Sequence, residues 1–283
     1  MTLTNAGELR ELLTRHGFTF SKGLGQNFII NPSVCPRMAE LSGADKKTGV
    51  LEIGPGVGVL TVELAKRAER VVCVELDDRL FPILGETLDG YDNVSLVHGD
   101  VLELDLATLI AEHFSGMDVT VCANLPYYIT SPVIMRFLEE GLPVKSLTVM
   151  VQKEAARRIC AKPGTRESGA VSVAVRYYSE PRILFEVSRG SFMPPPNVDS
   201  TVIRLDLRET PAVDCPRESF FRVVRACFSL RRKTVLNCLA AGLSLPKSEA
   251  AALLDRANVP HNARAEQLSM QDFAGIANLL PSP

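Results

Sequence analysis

The 283-residue chain reads as an α/β protein that ends in a small all-helical domain. Three observations predict this. Between residues 49 and 151, short apolar runs alternate with helical patterns, the signature of a parallel sheet with helices on both faces. After Val151, strand-like runs follow one another with only short links, as antiparallel additions to a sheet edge do. A polar stretch with two prolines, Glu209–Pro216, then separates these runs from a tail that carries only helical patterns. The expected division is therefore an α/β domain over 1–209 and a helical domain over 210–283, a length that suits one large and one small domain.

The elements follow in order. Ala6–His16 reads as a short amphipathic helix, and Phe18–Ile30 as a polar loop punctuated by glycine. Strands are predicted over Gly49–Ile53, Arg70–Glu75, Val94–His98, Val119–Ala123 and Ser146–Val151. Helices are predicted between them, near Gly58–Arg67, Arg79–Leu88, Leu106–His113 and Ser131–Glu139. Ala170–Tyr178, Arg182–Val187 and Ser200–Leu207 supply the later strands. In the tail, Arg217–Ala241, Lys247–Ala257 and Ala265–Leu280 read as helices.

Composition narrows the class. Hydrophobic residues make up 46% and charged residues 23%, enough apolar material for a real core. Seven cysteines, odd in number and without a C-x-x-C pair, and four histidines without ligand spacing predict reduced thiols and no metal site. No apolar run approaches membrane-spanning length and no signal-peptide core precedes the first helix, so a soluble, cytoplasmic protein is expected. The formal charge of −2 hides two basic regions. Residues 145–189 hold nine basic side chains against four acidic ones, and residues 217–233 hold six against Glu218 alone. A nearly neutral protein with such local surfaces can still bind phosphate.

The most informative segment is Val50-Leu51-Glu52-Ile53-Gly54-Pro55-Gly56-Val57-Gly58, a strand running into a glycine turn that opens a helix. Glycine there permits positive φ and close approach of backbone to ligand, which makes Gly54 and Gly56 candidate cofactor contacts. A dinucleotide fingerprint would put its third glycine at position 59, where this chain has Val59. Glu52 would repel a pyrophosphate but suits a cationic ligand, so the segment favours S-adenosylmethionine over NAD. Glu75 ends the second strand, 21 residues after Gly54, where a carboxylate accepts hydrogen bonds from both ribose hydroxyls. Asp100 ends the third and can accept the adenine amine. One acidic strand end is usually a solvated cap; three such features at the C-terminal ends of successive parallel strands mark a ligand site. The expected fold is thus a Rossmann-like class I methyltransferase with a mostly parallel seven-stranded sheet.

The fourth strand ends in Asn124-Leu125-Pro126-Tyr127-Tyr128. The N6 amine of adenine is a poor nucleophile because its lone pair is delocalised into the ring. An acceptor on each N–H, here the Asn124 side-chain oxygen and the Leu125 carbonyl, would draw the nitrogen toward sp³ geometry. Pro126 fixes that backbone, and Tyr127 offers a face on which an extruded base can stack. No strong general base is needed, since the proton becomes acidic only as the methyl arrives. Ser191-Phe192-Met193-Pro194-Pro195-Pro196-Asn197-Val198-Asp199-Ser200 is a stiff extended segment. It presents Phe192 either as the opposite wall of the base pocket or as a core residue under a rigid hairpin connection.

With Gly25-Gln26-Asn27-Phe28-Ile29, Val74-Glu75-Leu76-Asp77, Gly99-Asp100, Gln152-Lys153-Glu154 and Phe192–Ser200 added to these motifs, the chain resembles the KsgA/RsmA family of ribosomal RNA small-subunit adenine N6-dimethyltransferases along nearly its full length. The resemblance implies S-adenosylmethionine contacts at Asn27, Ile29, Gly54, Glu75, Asp100 and Asn124, with the loop Gly25–Ile29 closing over the cofactor. It implies a target base between Tyr127 and Phe192. It also implies two methyl groups on each of two adjacent adenines in a 3′-terminal hairpin loop of 16S rRNA, within the immature small ribosomal subunit. Arg222, Arg225, Arg231, Arg232 and Lys233 are read as a helical clamp on the RNA backbone, with Arg222 and Arg225 sharing a face and Phe221 and Phe228 turned to the core. A monomer is expected, for no exposed apolar stripe demands a dimer. The competing readings are a methyltransferase of large-subunit rRNA, a non-catalytic RNA-binding factor on the same fold and a DNA N6-adenine methyltransferase, which would carry Asp/Asn-Pro-Pro-Tyr and a separate target-recognition domain.

Overall fold

The computed structural model describes residues 2–21, 23–230 and 232–281. The chain divides into two compact units, Met1–Ala156 with Arg182–Leu207, and Arg157–Pro181 with Arg208–Pro283. The chain passes between the units three times; the last crossing, at 207/208, lies two residues from the sequence boundary at 209/210, while residues 157–181 group with the C-terminal unit.

The first unit opens with α1 (Ala6–Arg15), which Asn5 caps by accepting the N–H groups of Gly7 and Glu8. β1 (Phe28–Ile29), α2 (Val34–Leu41), β2 (Thr48–Ile53), α3 (Val59–Arg67), β3 (Arg70–Glu75), a 3₁₀ turn at Asp78–Leu80 and α4 (Phe81–Thr87) follow. Then come β4 (Val94–His98), α5 (Leu106–His113), β5 (Asp118–Asn124), α6 (Thr130–Glu139), β6 (Ser146–Gln152) and α7 (Lys153–Cys160). α8 (Ala170–Tyr178), β7 (Ser179–Val187), β8 (Phe192–Met193) and β9 (Ser200–Leu207) complete the α/β part of the sequence. The seven-stranded sheet has the order β4-β3-β2-β5-β6-β9-β7. β4, β3, β2, β5 and β6 run parallel, and β9 returns antiparallel to β6.

Central strands buried on both faces should read as unbroken apolar runs, and β2 is buried at every position. Leu9 and Leu12 of α1, Met38 of α2 and Leu64 of α3 join Val50, Val71 and Cys122 in one buried cluster. A second, two-stranded ladder pairs β1 with β8 antiparallel, placing Ile29 opposite Phe192 and Phe28 opposite Met193.

The second unit is built on aromatic packing. α9 (Arg217–Phe228), α10 (Val235–Gly242), α11 (Lys247–Arg256) and α12 (Met270–Asn278) surround Phe220, Phe273 and Tyr177. The rings of Tyr177 and Phe220 lie 4.7 Å apart, and those of Tyr178 and Phe221 are stacked at 5.6 Å. Such contacts add roughly 0.5–1.5 kcal/mol each beyond the area they bury. Phe221 and Phe228 are part-buried against this core, as the helical spacing predicts.

Three readings of the local pattern are corrected. Ala170–Tyr178, predicted as a strand from its alternating valines, is a helix. Ser172 accepts the N–H of Gly169 at its start, and Val173 and Tyr177, four residues apart, reach the aromatic cluster, so packing overrides β propensity. Arg217–Ala241 is two helices rather than one. The Ser229 hydroxyl donates to the Ala226 carbonyl, and Thr234 is extended, so the chain leaves the helix between them. Arg232 and Lys233 therefore sit in a connection, not on a helix, and Arg231 lies outside the described residues. Ala265–Leu280 is likewise a 3₁₀ turn and a helix, split where the Ser269 hydroxyl accepts the Asp272 N–H. The sequence pattern does not predict α2 or α7.

Candidate active site

Strand order reverses direction of growth between β2 and β5, and the crevice beyond their C-terminal ends is where open α/β sheets bind ligands. A cavity of about 440 Å³ lies there, within the first unit. Every residue the sequence nominates for cofactor or base, namely Asn27, Ile29, Gly54, Gly56, Glu75, Asp100, Asn124, Leu125, Tyr127 and Phe192, lines it.

The glycine turn forms the cavity floor. Gly54 and Gly56 have φ of +66° and +60°, a region in which a side chain would be strained. A Cβ at Gly54 would meet nothing within 4 Å, so the space above it is open to a ligand's backbone-hugging approach. At Gly56 a Cβ would come within 3.1 Å of the Phe28 ring, and glycine there lets the loop carrying Phe28 close down.

Glu75 is fixed by main-chain donors. Leu76 and Asp77 donate to Oε1 at 2.9 Å each, and the Gly56 N–H reaches Oε2 at 3.3 Å. Burial raises its pKa, and these three bonds pull the other way. The result is an acceptor held in place at the end of β3. Asp100 takes the N–H of Leu102 on Oδ1 at 2.8 Å, which orients its carboxylate at the cavity edge. Two oriented carboxylate acceptors and an open glycine turn at three adjacent strand ends could hold a ligand with hydroxyl, amine and amino-acid groups such as S-adenosylmethionine. Glu52 lies deeper, 1% exposed, on the β2 face shared with Val50. Burial pushes its pKa up to about 7, and the Cys73 thiol donates to its Oε2 at 3.4 Å. It can neutralise a cationic ligand.

Asn124 ends β5, and its Nδ2 donates to the main-chain carbonyl of Asn27 at 3.2 Å. That bond turns the amide so that Oδ1 is left to accept from a ligand amine. Tyr127 is half-buried, and its phenol OH lies 2.9 Å from Ser200 Oγ. Burial raises the phenol pKa, so the group stays protonated at neutral pH and does not serve as a base. Phe192 is 4% exposed. It belongs to the core cluster and also faces the cavity, so the two readings of it describe one position.

Of the basic residues the sequence nominates for RNA, Arg222 and Arg225 lie on α9 and Arg232 and Lys233 in the connection that follows it. Arg225, Arg232 and Lys233 are exposed and Arg222 is half-buried.

Sequence reasoning missed the groups that hold the loop over the cavity. Gln26 Nε2 donates to Asp77 Oδ2 at 2.7 Å, while Arg79 grips Asp77 through Nε at 2.8 Å and Nη2 at 2.6 Å. The Arg79 bonds, first among the causes, hold the Asp77 carboxyl below its ordinary range. Arg79 Nη1 also donates to the Thr19 carbonyl, and Ser21 N–H donates to Gln26 Oε1. Only the short spacing of Asp77 and Arg79 was visible locally; the link from residue 26 to residue 77 leaves no periodic signal.

Comparison with known proteins shows the family. A family model described as ribosomal RNA adenine dimethylase matches residues 17–281. The ribosomal RNA small subunit methyltransferase A of Alkaliphilus oremlandii is 47% identical over 280 residues, covering 98% of each chain. Its counterpart in Geobacillus thermodenitrificans is 47% identical over 283 residues, covering 98% of this chain and 97% of its own. Among solved structures, a dimethyladenosine transferase from Plasmodium falciparum superposes with a TM-score of 0.73 at 26% identity, over 88% of this chain and 95% of that one. The 23S rRNA methyltransferase ErmE superposes with a TM-score of 0.70 at 28% identity, over 89% and 98%.

Proposed function

The chain belongs to the ribosomal RNA adenine dimethylase family and is an S-adenosylmethionine-dependent methyltransferase of rRNA, and from that premise we propose that it dimethylates the N6 amines of two adjacent adenines in the 3′-terminal hairpin loop of 16S rRNA, within the immature small subunit. The observation that supports this reading best is Asn124, its amide turned by the Asn27 carbonyl, in one cavity with the glycine turn and two aromatic walls.

Bound S-adenosylmethionine supplies an electrophilic methyl group on a sulfonium. The chain's own residues do the rest. Glu75 and Asp100 accept from ribose and adenine, and Glu52 offsets positive charge from below. Asn124 Oδ1 and the Leu125 carbonyl accept the two N–H bonds of the target amine and free its lone pair. Tyr127 and Phe192 hold the base between them, and base–aromatic stacking contributes about 1–3 kcal/mol per base. Gly25–Ile29, tied down through Gln26 and Asp77, keeps water from the transferring group.

The C-terminal domain, residues 210–283, grips RNA phosphates through Arg222, Arg225, Arg231, Arg232 and Lys233. We take the enzyme to act as a monomer in the cytoplasm; among the described residues no helix is long and apolar enough to cross a membrane.

Methyl transfer from labelled cofactor should be compared across immature small subunits, mature small subunits and naked large-subunit RNA. Label is expected on immature small subunits; label on the large-subunit RNA alone overturns the reading. Replacing Arg222 and Arg225 by Ala should weaken RNA binding and lower the salt slope by about two units, one for each phosphate no longer neutralised. An unchanged slope would make that face an ordinary solvated one.

A further inference from the structure

The segment that begins at Phe192 ends at Ser200, and its two ends touch opposite walls of the base pocket. Phe192 is held by the β1–β8 ladder, with the neighbouring Ile30 N–H donating to the Ser191 carbonyl at 2.8 Å. Ser200 is the first residue of β9, paired with Gln152 of β6, and is fully buried. Between them, Pro194, Pro195 and Pro196 each fix φ. The carboxylate of Asp199 accepts the Arg189 N–H at 2.9 Å, and its carbonyl accepts the Lys153 N–H at 3.0 Å. Ser200 is therefore a rigid point on the sheet.

Tyr127 is not rigid by itself. It sits in the turn after β5 and is only half-buried, so core packing does not set its ring plane. The hydroxyl of Ser200, 2.9 Å from the phenol OH, is its anchor. We propose that Ser200 is a positioning residue for methyl transfer, and that through it the segment 192–200 sets the gap between the two aromatic walls that receive the target adenine. The inference rests on Tyr127 and Phe192 being those walls. Stacking depends on ring offset and tilt, so a swinging Tyr127 presents the amine to Asn124 in fewer productive poses. The effect belongs to turnover, because Ser200 is not among the residues that line the cofactor cavity.

The experiment is steady-state transfer from labelled S-adenosylmethionine to immature small subunits by Ser200→Ala, Tyr127→Phe, the double variant and Phe192→Ala, with cofactor affinity read by calorimetry. Ser200→Ala should lower kcat about five- to tenfold, the effect of losing one neutral hydrogen bond, and leave cofactor affinity within about twofold. Tyr127→Phe removes the same bond from the other side and should match it, and the double variant should be no slower than either single. Full kcat in Ser200→Ala, multiplying losses in the double variant, or a cofactor affinity that falls in step with kcat would each overturn the assignment. If Phe192→Ala is slow and Ser200→Ala is not, only the role of Ser200 fails. If Phe192→Ala also keeps full turnover, the reading of the walls fails with it.

Discussion

On the side of the cavity proposed for the cofactor, Glu75 is held by the N–H groups of Leu76 and Asp77, its next neighbours in the chain, with that of Gly56 from the glycine turn, whereas on the side proposed for the base Tyr127 is held by Ser200 and Asn124 by Asn27. The first arrangement is built mainly at one strand end, with one bond added from the neighbouring glycine turn. The second exists only when distant segments have met. One half of the cavity is local chemistry on a scaffold, and the other is assembled by the fold.

That contrast can be broken by substitution. The largest effect should come from the base side. Asn124→Ala should reduce kcat on the order of 10²–10³-fold, as loss of an aligned polar group in a reacting centre does. Single-turnover transfer measures it, and a wild-type rate would remove Asn124 from the chemistry. On the cofactor side, Glu75→Ala should weaken cofactor binding roughly 10- to 100-fold, since bonds to a charged acceptor contribute about 1.5–3 kcal/mol. Turnover at saturating cofactor should change only a few-fold. If kcat collapses instead, the two sides are not separable.

A third effect, on stability and not on catalysis, concerns Glu52. Its pKa in the folded protein is about 7 against an ordinary 4.5, a raised value. The stabilising contribution of its protonated form is therefore complete below about 4.5 and lost as pH rises through 7. The loss is about 3 kcal/mol at full ionisation. Glu52→Gln should accordingly melt several degrees higher relative to wild type at about pH 8 than at about pH 5. Cofactor affinity in the wild type should rise with pH across the same window and stay flat in the variant. Equal melting differences at the two pH values would show that Glu52 does not titrate there.

The same contrast explains which parts of the molecule its sequence makes legible. The glycine turn, Glu75 and Asp100 are legible because each closes a strand of strong apolar pattern, so position along the chain fixes position in space. The parallel strands are legible for that reason as well. Asn124 and Tyr127 stand out through the chemistry of a strand end, yet nothing local announces that Asn27 turns the amide or that Ser200 anchors the phenol. Phe192 stands open between wall and core because a two-residue strand is too short to carry a period. Ala170–Tyr178 goes astray for the opposite reason. Its valines alternate as a strand's do, and only the aromatic cluster of Phe220 and Phe221 selects the helix.

The Ile29–Phe192 ladder also orders events during synthesis and folding. By the time β5 has left the ribosome, the chain holds everything the cofactor side needs, from the loop at Gly25 to Asp100. The second wall arrives only with residue 192, and closing that long loop onto β1 costs entropy that local contacts do not. The space between Tyr127 and Phe192 takes its shape only when β1 and β8 pair and β9 brings Ser200 to Tyr127, after the glycine turn and Glu75 are already in the chain.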